Sequence, residues 1–242
     1  MFALVIAAFL HVPTAKASKN FSEWSAPTNL GQVINSQFEE ILPHISKDGL
    51  SLYFVSNRPG GFGDFDIWVS QRPTRNDAWG PPMNLGPTIN TSYNAGPDFL
   101  ENDDIGIPSL FLGSNRPGGV GGFDIYLSNL LPDGSFGPSF LMTELCSPEN
   151  DFRPTVRPDG LELFFDSNRP GGIGLRDLYV STRETVSVPW STPSNLGPVV
   201  NSEFNEEFPA LSSDGKTLIF SSDRPGGFGG SDLYLSSRDK HE

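Results

Sequence analysis

Ser56-Asn57-Arg58-Pro59-Gly60-Gly61 recurs as Ser114-Asn115-Arg116-Pro117-Gly118-Gly119, as Ser167-Asn168-Arg169-Pro170-Gly171-Gly172 and, with one change, as Ser222-Asp223-Arg224-Pro225-Gly226-Gly227. The steps between copies are 58, 53 and 55 residues. Self-similarity at a nearly constant period of this size marks a stacked or ring-shaped repeat architecture. Upstream of each loop lies an apolar run such as Leu52-Tyr53-Phe54-Val55 or Leu218-Ile219-Phe220, preceded by an Asp-Gly turn at Asp48, Asp159 and Asp214 and a Pro-led segment. Downstream come Asp66-Ile67-Trp68, Asp124-Ile125-Tyr126, Asp177-Leu178-Tyr179 and Asp232-Leu233-Tyr234, then a segment running from Trp79 to Asn84 or from Trp190 to Asn195. Short β-branched and aromatic runs bounded by Gly, Pro, Asn and Asp are strands joined by turns, and four antiparallel strands per repeat make a propeller blade.

The sequence therefore predicts an all-β fold, a four-bladed β-propeller with four antiparallel strands per blade. The last repeat ends after its third strand, and Trp24-Ser25-Ala26-Pro27-Thr28-Asn29-Leu30-Gly31 carries the fourth-strand pattern at the other end of the chain. Pairing this N-terminal strand with the last blade closes the ring and protects its edge. The second repeat is irregular. Phe136 replaces Trp, Leu141-Met142-Thr143 replaces Asn-Leu-Gly, and Glu101-Asn102-Asp103-Asp104-Ile105-Gly106 replaces the compact Asp-Gly turn.

Composition narrows the classes. The 242 residues carry 26 Gly and 22 Pro at fixed places in the repeat, which indicates a turn-rich β protein and not a disordered one. A net charge of -13 repels phosphate backbones and anionic lipid, excluding nucleic acid as a natural partner. Residues 1–10 are almost wholly apolar and Ala15-Lys16-Ala17 follows as a small-residue cleavage pattern, so residues 1–17 read as a signal peptide and 18–242 as one propeller domain, periplasmic or secreted. No other run approaches the length of a membrane span. The single cysteine, Cys146, cannot form an intramolecular disulfide, and His11, His44 and His241 are scattered, so no catalytic triad or metal cluster is visible.

The combined pattern of Asp-Gly turn, Ser-Asn-Arg-Pro-Gly-Gly loop, Asp-Ile-Tyr strand and Trp with Asn-Leu-Gly resembles the WD-repeat-like propeller repeats of the TolB type, a family of bacterial envelope and secreted proteins. The resemblance spans residues 20–238 and implies a propeller with a binding or scaffolding role.

Each loop Asn or Asp is followed nine residues later by an Asp, at Asp66, Asp124, Asp177 and Asp232. A carboxylate needed once per blade reads as a structural acceptor for the Gly-rich loop. Calcium asks for six or more oxygens, more than one or two carboxylates per loop supply, so no metal and no other cofactor is expected. Antiparallel order puts the Gly-rich loops on the same face as the blade-to-blade connections. That face collects Arg58, Arg116, Arg169 and Arg224 with Glu39, Glu40, Asn94, Asn150, Asp151, Asn205 and Glu206, a polar surface at the channel mouth. The expectation is a non-catalytic, monomeric binding propeller that recognises a protein, peptide or glycan there. Two rivals remain open: a glycosidase or lyase with its acids among Glu40, Asp151, Glu206 and Glu207, and a lectin with one glycan site per blade.

Overall fold

The computed structural model describes residues 25–46, 48–92, 95–100 and 108–239, with 95–100 as backbone only. The leader expected over 1–17, Trp24, Asn94, the irregular turn at 101–106, His11 and His241 lie outside the described residues. All described strands belong to the unit Gly31–Glu242. The first sheet joins β1 (Glu40–Ile45), β2 (Ser51–Ser56), β3 (Asp66–Gln71) and β4 (Met83–Asn84) in chain order. The second joins β5 (Ala95–Leu100), β6 (Ser109–Ser114), β7 (Asp124–Asn129) and β8 (Phe140–Leu141). The third joins β9 (Asp151–Val156), β10 (Glu162–Ser167), β11 (Asp177–Thr182) and β12 (Ser194–Asn195). The fourth holds β13 (Glu206–Leu211), β14 (Thr217–Ser222) and β15 (Asp232–Ser237).

Every pairing between these strands is antiparallel, and the second and third strands of each repeat align in full. Ser56 faces Asp66, Ser114 faces Asp124, Ser167 faces Asp177 and Ser222 faces Asp232, so each Gly-rich loop closes the same end of its blade. β5 lies against β1 and β9, and β9 against β13, which sets the first strands of successive sheets next to one another. This is the blade arrangement of a β-propeller. Alternation along β2 and β3 sends Tyr53, Val55, Ile67 and Val69 toward the next blade, where they pack on Ile89, Leu110, Leu112 and Tyr126. Phe111 and Ile125 meet Leu145, Leu163 and Phe165 in the same way. Burying a large apolar side chain contributes roughly 1.5–3 kcal/mol, so these seams between sheets hold the blades together.

The first strand carries a bulge in three blades. Leu42, Arg153 and Phe208 have φ of 51°, 50° and 55°, and the ladder shifts register at each. In the second blade Pro97 takes that place, and β5 pairs with β6 without a shift. The pyrrolidine ring fixes φ near −65° and cannot reach the left-handed region, so the bulge is lost there.

One part of the sequence expectation is corrected. Four strands per blade hold for three sheets only; residues 25–30 carry no strand, and β15 pairs with β14 alone among the described residues. The first and last sheets share no contact between described elements. Ile67, Ile125 and Leu178 are 0% exposed under the following blade, whereas their counterpart Leu233 is 79% exposed and Leu235 is 65% exposed. The physical reason lies in the fourth strands themselves: β4, β8 and β12 each contribute two residue pairs, so this outermost strand is the least hydrogen-bonded part of a blade.

Candidate functional site

The repeated polar residues form a frame around each Gly-rich loop. Asp177 Oδ2 accepts from Ile173 N at 2.5 Å and from Asn195 Nδ2 at 3.0 Å, and its Oδ1 accepts from Gly174 N at 3.1 Å. Asp66 accepts from Phe62 N and Asn84 Nδ2, Asp124 from Val120 N and Gly121 N, and Asp232 from Phe228 N and Gly229 N. The second glycine of each loop follows from this: a Cβ on Gly61, Gly119, Gly172 or Gly227 would overlap the carboxylate.

A second cluster sits where the first strand begins. Asp151 accepts from Ser147 N and Oγ at 2.6 and 2.9 Å, from Ser167 Oγ at 2.6 Å and from Arg169 Nη2 at 2.5 Å. Glu206 has the same four donors in Ser202 N and Oγ, Ser222 Oγ and Arg224 Nη2, and Glu40 has them in Ser36 N and Oγ, Ser56 Oγ and Arg58 Nη2. Burial works to raise the Glu40 pKa, but the bonds from Ser36, then Arg58 and Ser56, outweigh it and hold the carboxyl below its ordinary value. Each arginine also reaches back to the connecting segment, onto Ile34 O, Ile89 O, Leu145 O and Val200 O at 2.6–2.7 Å. Glu39, Asn150 and Asn205 are held by their backbone N–H groups on Asn57, Asn168 and Asp223. Thus Glu40, Asp151 and Glu206 and their arginines spend their polar atoms within the blade.

Two further frames escaped the reading of the sequence. Arg72, Arg183 and Arg238, six residues after each repeated Asp, donate Nε to Gly49 O, Gly160 O and Gly215 O. The first two lie over Trp79 and Trp190 at 4.2 and 4.1 Å. The second blade has Leu130 and Phe136 in these places, so Arg and Trp are lost together, and both replacements join the apolar seam. The signal was present in the sequence as this paired change. Asn90 and Asn201 clasp the preceding blade, each accepting from and donating to one backbone residue, Ile67 or Leu178. Cys146 stands at the equivalent place, with its thiol at 3.4 Å from Ile125 N and 3.8 Å from Ile125 O. Burial pushes that thiol pKa well up, which keeps it protonated and unreactive.

One polar cluster does not repeat. At the loop end of the first strands, between the third and fourth blades, Arg153 Nη1 lies 3.1 Å from Asp166 Oδ2 and 3.3 Å from Glu207 Oε1. Arg176 pairs with Glu207 and brings its Nε to 3.7 Å from Asp166 Oδ2. Phe152 and Phe208 frame the guanidinium groups, with Arg153 stacked 3.7 Å from the Phe208 ring centre and Arg176 4.6 Å from that of Phe152. Asp166 occupies a strand position filled by Val55, Gly113 and Ser221 elsewhere, and it is fully buried. Burial pushes its pKa up to about 7, against the pull of Arg153 and Arg176 and with a smaller upward push from Glu207. Arg153, Glu207 and Phe208 remain partly exposed, so the cluster presents a charged, ring-lined surface at the loop end of the first strands. Asn94 lies outside the described residues. Among the described residues no three His, Cys, Asp or Glu side chains converge as a metal donor set, and no helix is long and apolar enough to cross a membrane.

No family model matches the chain, and no curated protein does. Solved structures do. A protein assigned as TolB in Agrobacterium tumefaciens matches 80% of this chain and 59% of its own at 19% identity, with a TM-score of 0.51. An endo-arabinase from Bacteroides thetaiotaomicron VPI-5482 matches 83% of this chain and 74% of its own at 16% identity and TM-score 0.53. A xylan β-1,4-xylosidase from Bacillus halodurans C-125 matches 85% of this chain and 42% of its own at 15% identity and TM-score 0.56. The chain thus spans about three fifths of the TolB protein and less than half of the xylosidase. At these identities the likeness is one of fold, and the fold is that of a β-propeller repeat protein.

Proposed function

We propose that this chain is a non-catalytic binding and scaffolding propeller, periplasmic or secreted, that recognises a protein, peptide or glycan at the channel-mouth face. Residues 18–242 form its one domain, a monomeric propeller of four blades. The observation that carries the reading is the non-repeating cluster of Arg153, Asp166, Arg176, Glu207 and Phe208 at that mouth. Residues present once per blade are scaffold; a set present once per molecule, partly exposed and amphipathic, has the chemistry of a recognition site. Asn150 and Asn205, at the start of the same two first strands, are its polar neighbours, and Glu39 holds the corresponding place in the first blade.

Catalysis by channel carboxylates is the second reading, prompted by the glycosidases among the structural neighbours. Asp166, with its pKa near 7, has the protonation of a general acid. Yet Asp166 is fully buried, Glu40, Asp151 and Glu206 are each tied to an arginine and two serines, and Glu207, though partly exposed, is paired with Arg153 and Arg176. An acid without access to substrate cannot protonate a leaving group, so binding is favoured. Peptide and oligosaccharide arrays probed with the intact protein test this. The expected result is a ligand that is bound and not turned over, with affinity lowered about tenfold or more, ~1.4 kcal/mol, by Arg153→Gln with Glu207→Gln. Release of shortened oligosaccharides, or full affinity in the double variant, overturns the reading.

A further inference from the structure

The frame at the start of the first strand is complete in three blades and lacks one member in the second. Ala95 is paired with Ser114 just as Glu40 is with Ser56, Asp151 with Ser167 and Glu206 with Ser222. The second blade therefore has an alanine at the register position where the other blades have a carboxylate residue. Two of the donors that surround that carboxylate elsewhere, the loop serine and its arginine, persist. Ser114 is fully buried, Arg116 Nε donates to Ser114 Oγ at 3.1 Å, and Nη2 donates to Ile89 O at 2.7 Å, the bond that its three counterparts also make. The guanidinium lies 4.8 Å from the Tyr126 ring centre, as Arg169 lies 4.9 Å from Tyr179 and Arg224 4.9 Å from Tyr234.

The connection that leads into this position supplies no acid. Thr91-Ser92-Tyr93-Asn94-Ala95-Gly96 contains none, and the acidic turn at 101–106 follows Leu100, which pairs with Ser109 at the far end of the blade. Among the described residues Arg116 makes no ion pair, while Arg58, Arg169 and Arg224 each make one. Burial correspondingly draws the Arg116 pKa below its ordinary value, with only Tyr126 working the other way. A half-buried cation whose blade supplies an alanine at the register position of the usual counter-ion has donors arranged for an anion.

We propose that the second blade binds an external carboxylate at Arg116 and Ser114, in the place that Glu40, Asp151 and Glu206 fill from within in the other blades. The missing group is the size of formate for an Asp and of acetate for a Glu, so the ligand is either a small free carboxylate or the tip of an acidic side chain on a peptide. With a net charge of -13 the protein repels anions in general, so the site should discriminate by geometry and ignore chloride. It is separate from the Arg153 cluster and stands or falls independently of the function proposed above.

Thermal midpoints of the wild-type protein and of Ala95→Glu, measured against sodium acetate, an acetylated and amidated Gly-Glu-Gly peptide and sodium chloride at equal ionic strength, test the site. The wild type should rise saturably with acetate or with the peptide but not with chloride. Response to acetate alone identifies a free carboxylate, and response to the peptide alone identifies an acidic side chain. Ala95→Glu should start from a higher midpoint and lose the response, because it supplies the group covalently. Should that variant fail to fold, Ala95→Asp, the counterpart of Asp151, takes its place. A wild type that responds to acetate and peptide no more than to chloride overturns the proposal, as does a response that survives in the Ala95 variants.

Discussion

Asp177 shows what a repeated residue does. Its carboxylate gathers two loop N–H groups and the Asn195 amide while buried at the blade edge. Asp177→Ala leaves these donors without an acceptor and should cost about 1–3 kcal/mol in urea denaturation. A loss of bound calcium with stability unchanged would instead assign the residue to a metal. Asp166 behaves differently. Its folded pKa, about 7, lies above the ordinary 3.8, so the folded state holds the proton more tightly than the unfolded chain. Stability from this group is present below about pH 4 and is lost as pH rises through 7. Midpoints recorded between pH 4 and 8 should fall across that window in the wild type and flatten in Asp166→Asn. The nine-residue offset of the repeated aspartates is readable in the sequence. The Arg153 cluster is not, because Asp166 and Arg153 look like polar interruptions of apolar strands until the bulge at Arg153 and the seam between blades bring them together.

At the scale of elements, the connections between blades matter as much as the strands. Asn201 Nδ2 donates to Leu178 O and Asn195 Oδ1 while its Oδ1 accepts from Leu178 N, which pins one blade to the next. Cys146 makes only two long thiol contacts at the same place. Cys146→Asn should therefore raise the thermal midpoint, by the equivalent of about 1 kcal/mol for the restored hydrogen bonds, and an unchanged or lower midpoint would show that the site cannot take the larger amide. The strand pattern was legible because aromatic and β-branched runs alternate between Asp-Gly and Gly-Gly punctuation. The clasp was not, since Asn90, Cys146 and Asn201 act through backbone atoms of a strand more than twenty residues earlier, and no local pattern announces such a partner.

For the whole molecule, the near-constant period determined the number of sheets and their order, and the first strands of successive sheets lie against one another as a propeller requires. Ring closure was less legible, because it depends on a strand of two residue pairs and on the ends of the chain. The exposed Leu233 and Leu235 mark the face that closure would cover. The sequence expectation that residues 24–31 complete the last blade predicts that deleting residues 21–31 lowers the midpoint or provokes aggregation, and an unchanged midpoint would remove the N-terminal strand from the ring.

The division of labour between a repeated frame and a single mouth cluster is tested most directly by hydrogen exchange of the intact protein with and without a ligand found on the arrays. Protection should concentrate at residues 152–153, 176 and 207–208, with the four Gly-rich loops unchanged. Equal protection at all four loops would mean one site per blade, as in a lectin, and would contradict the account.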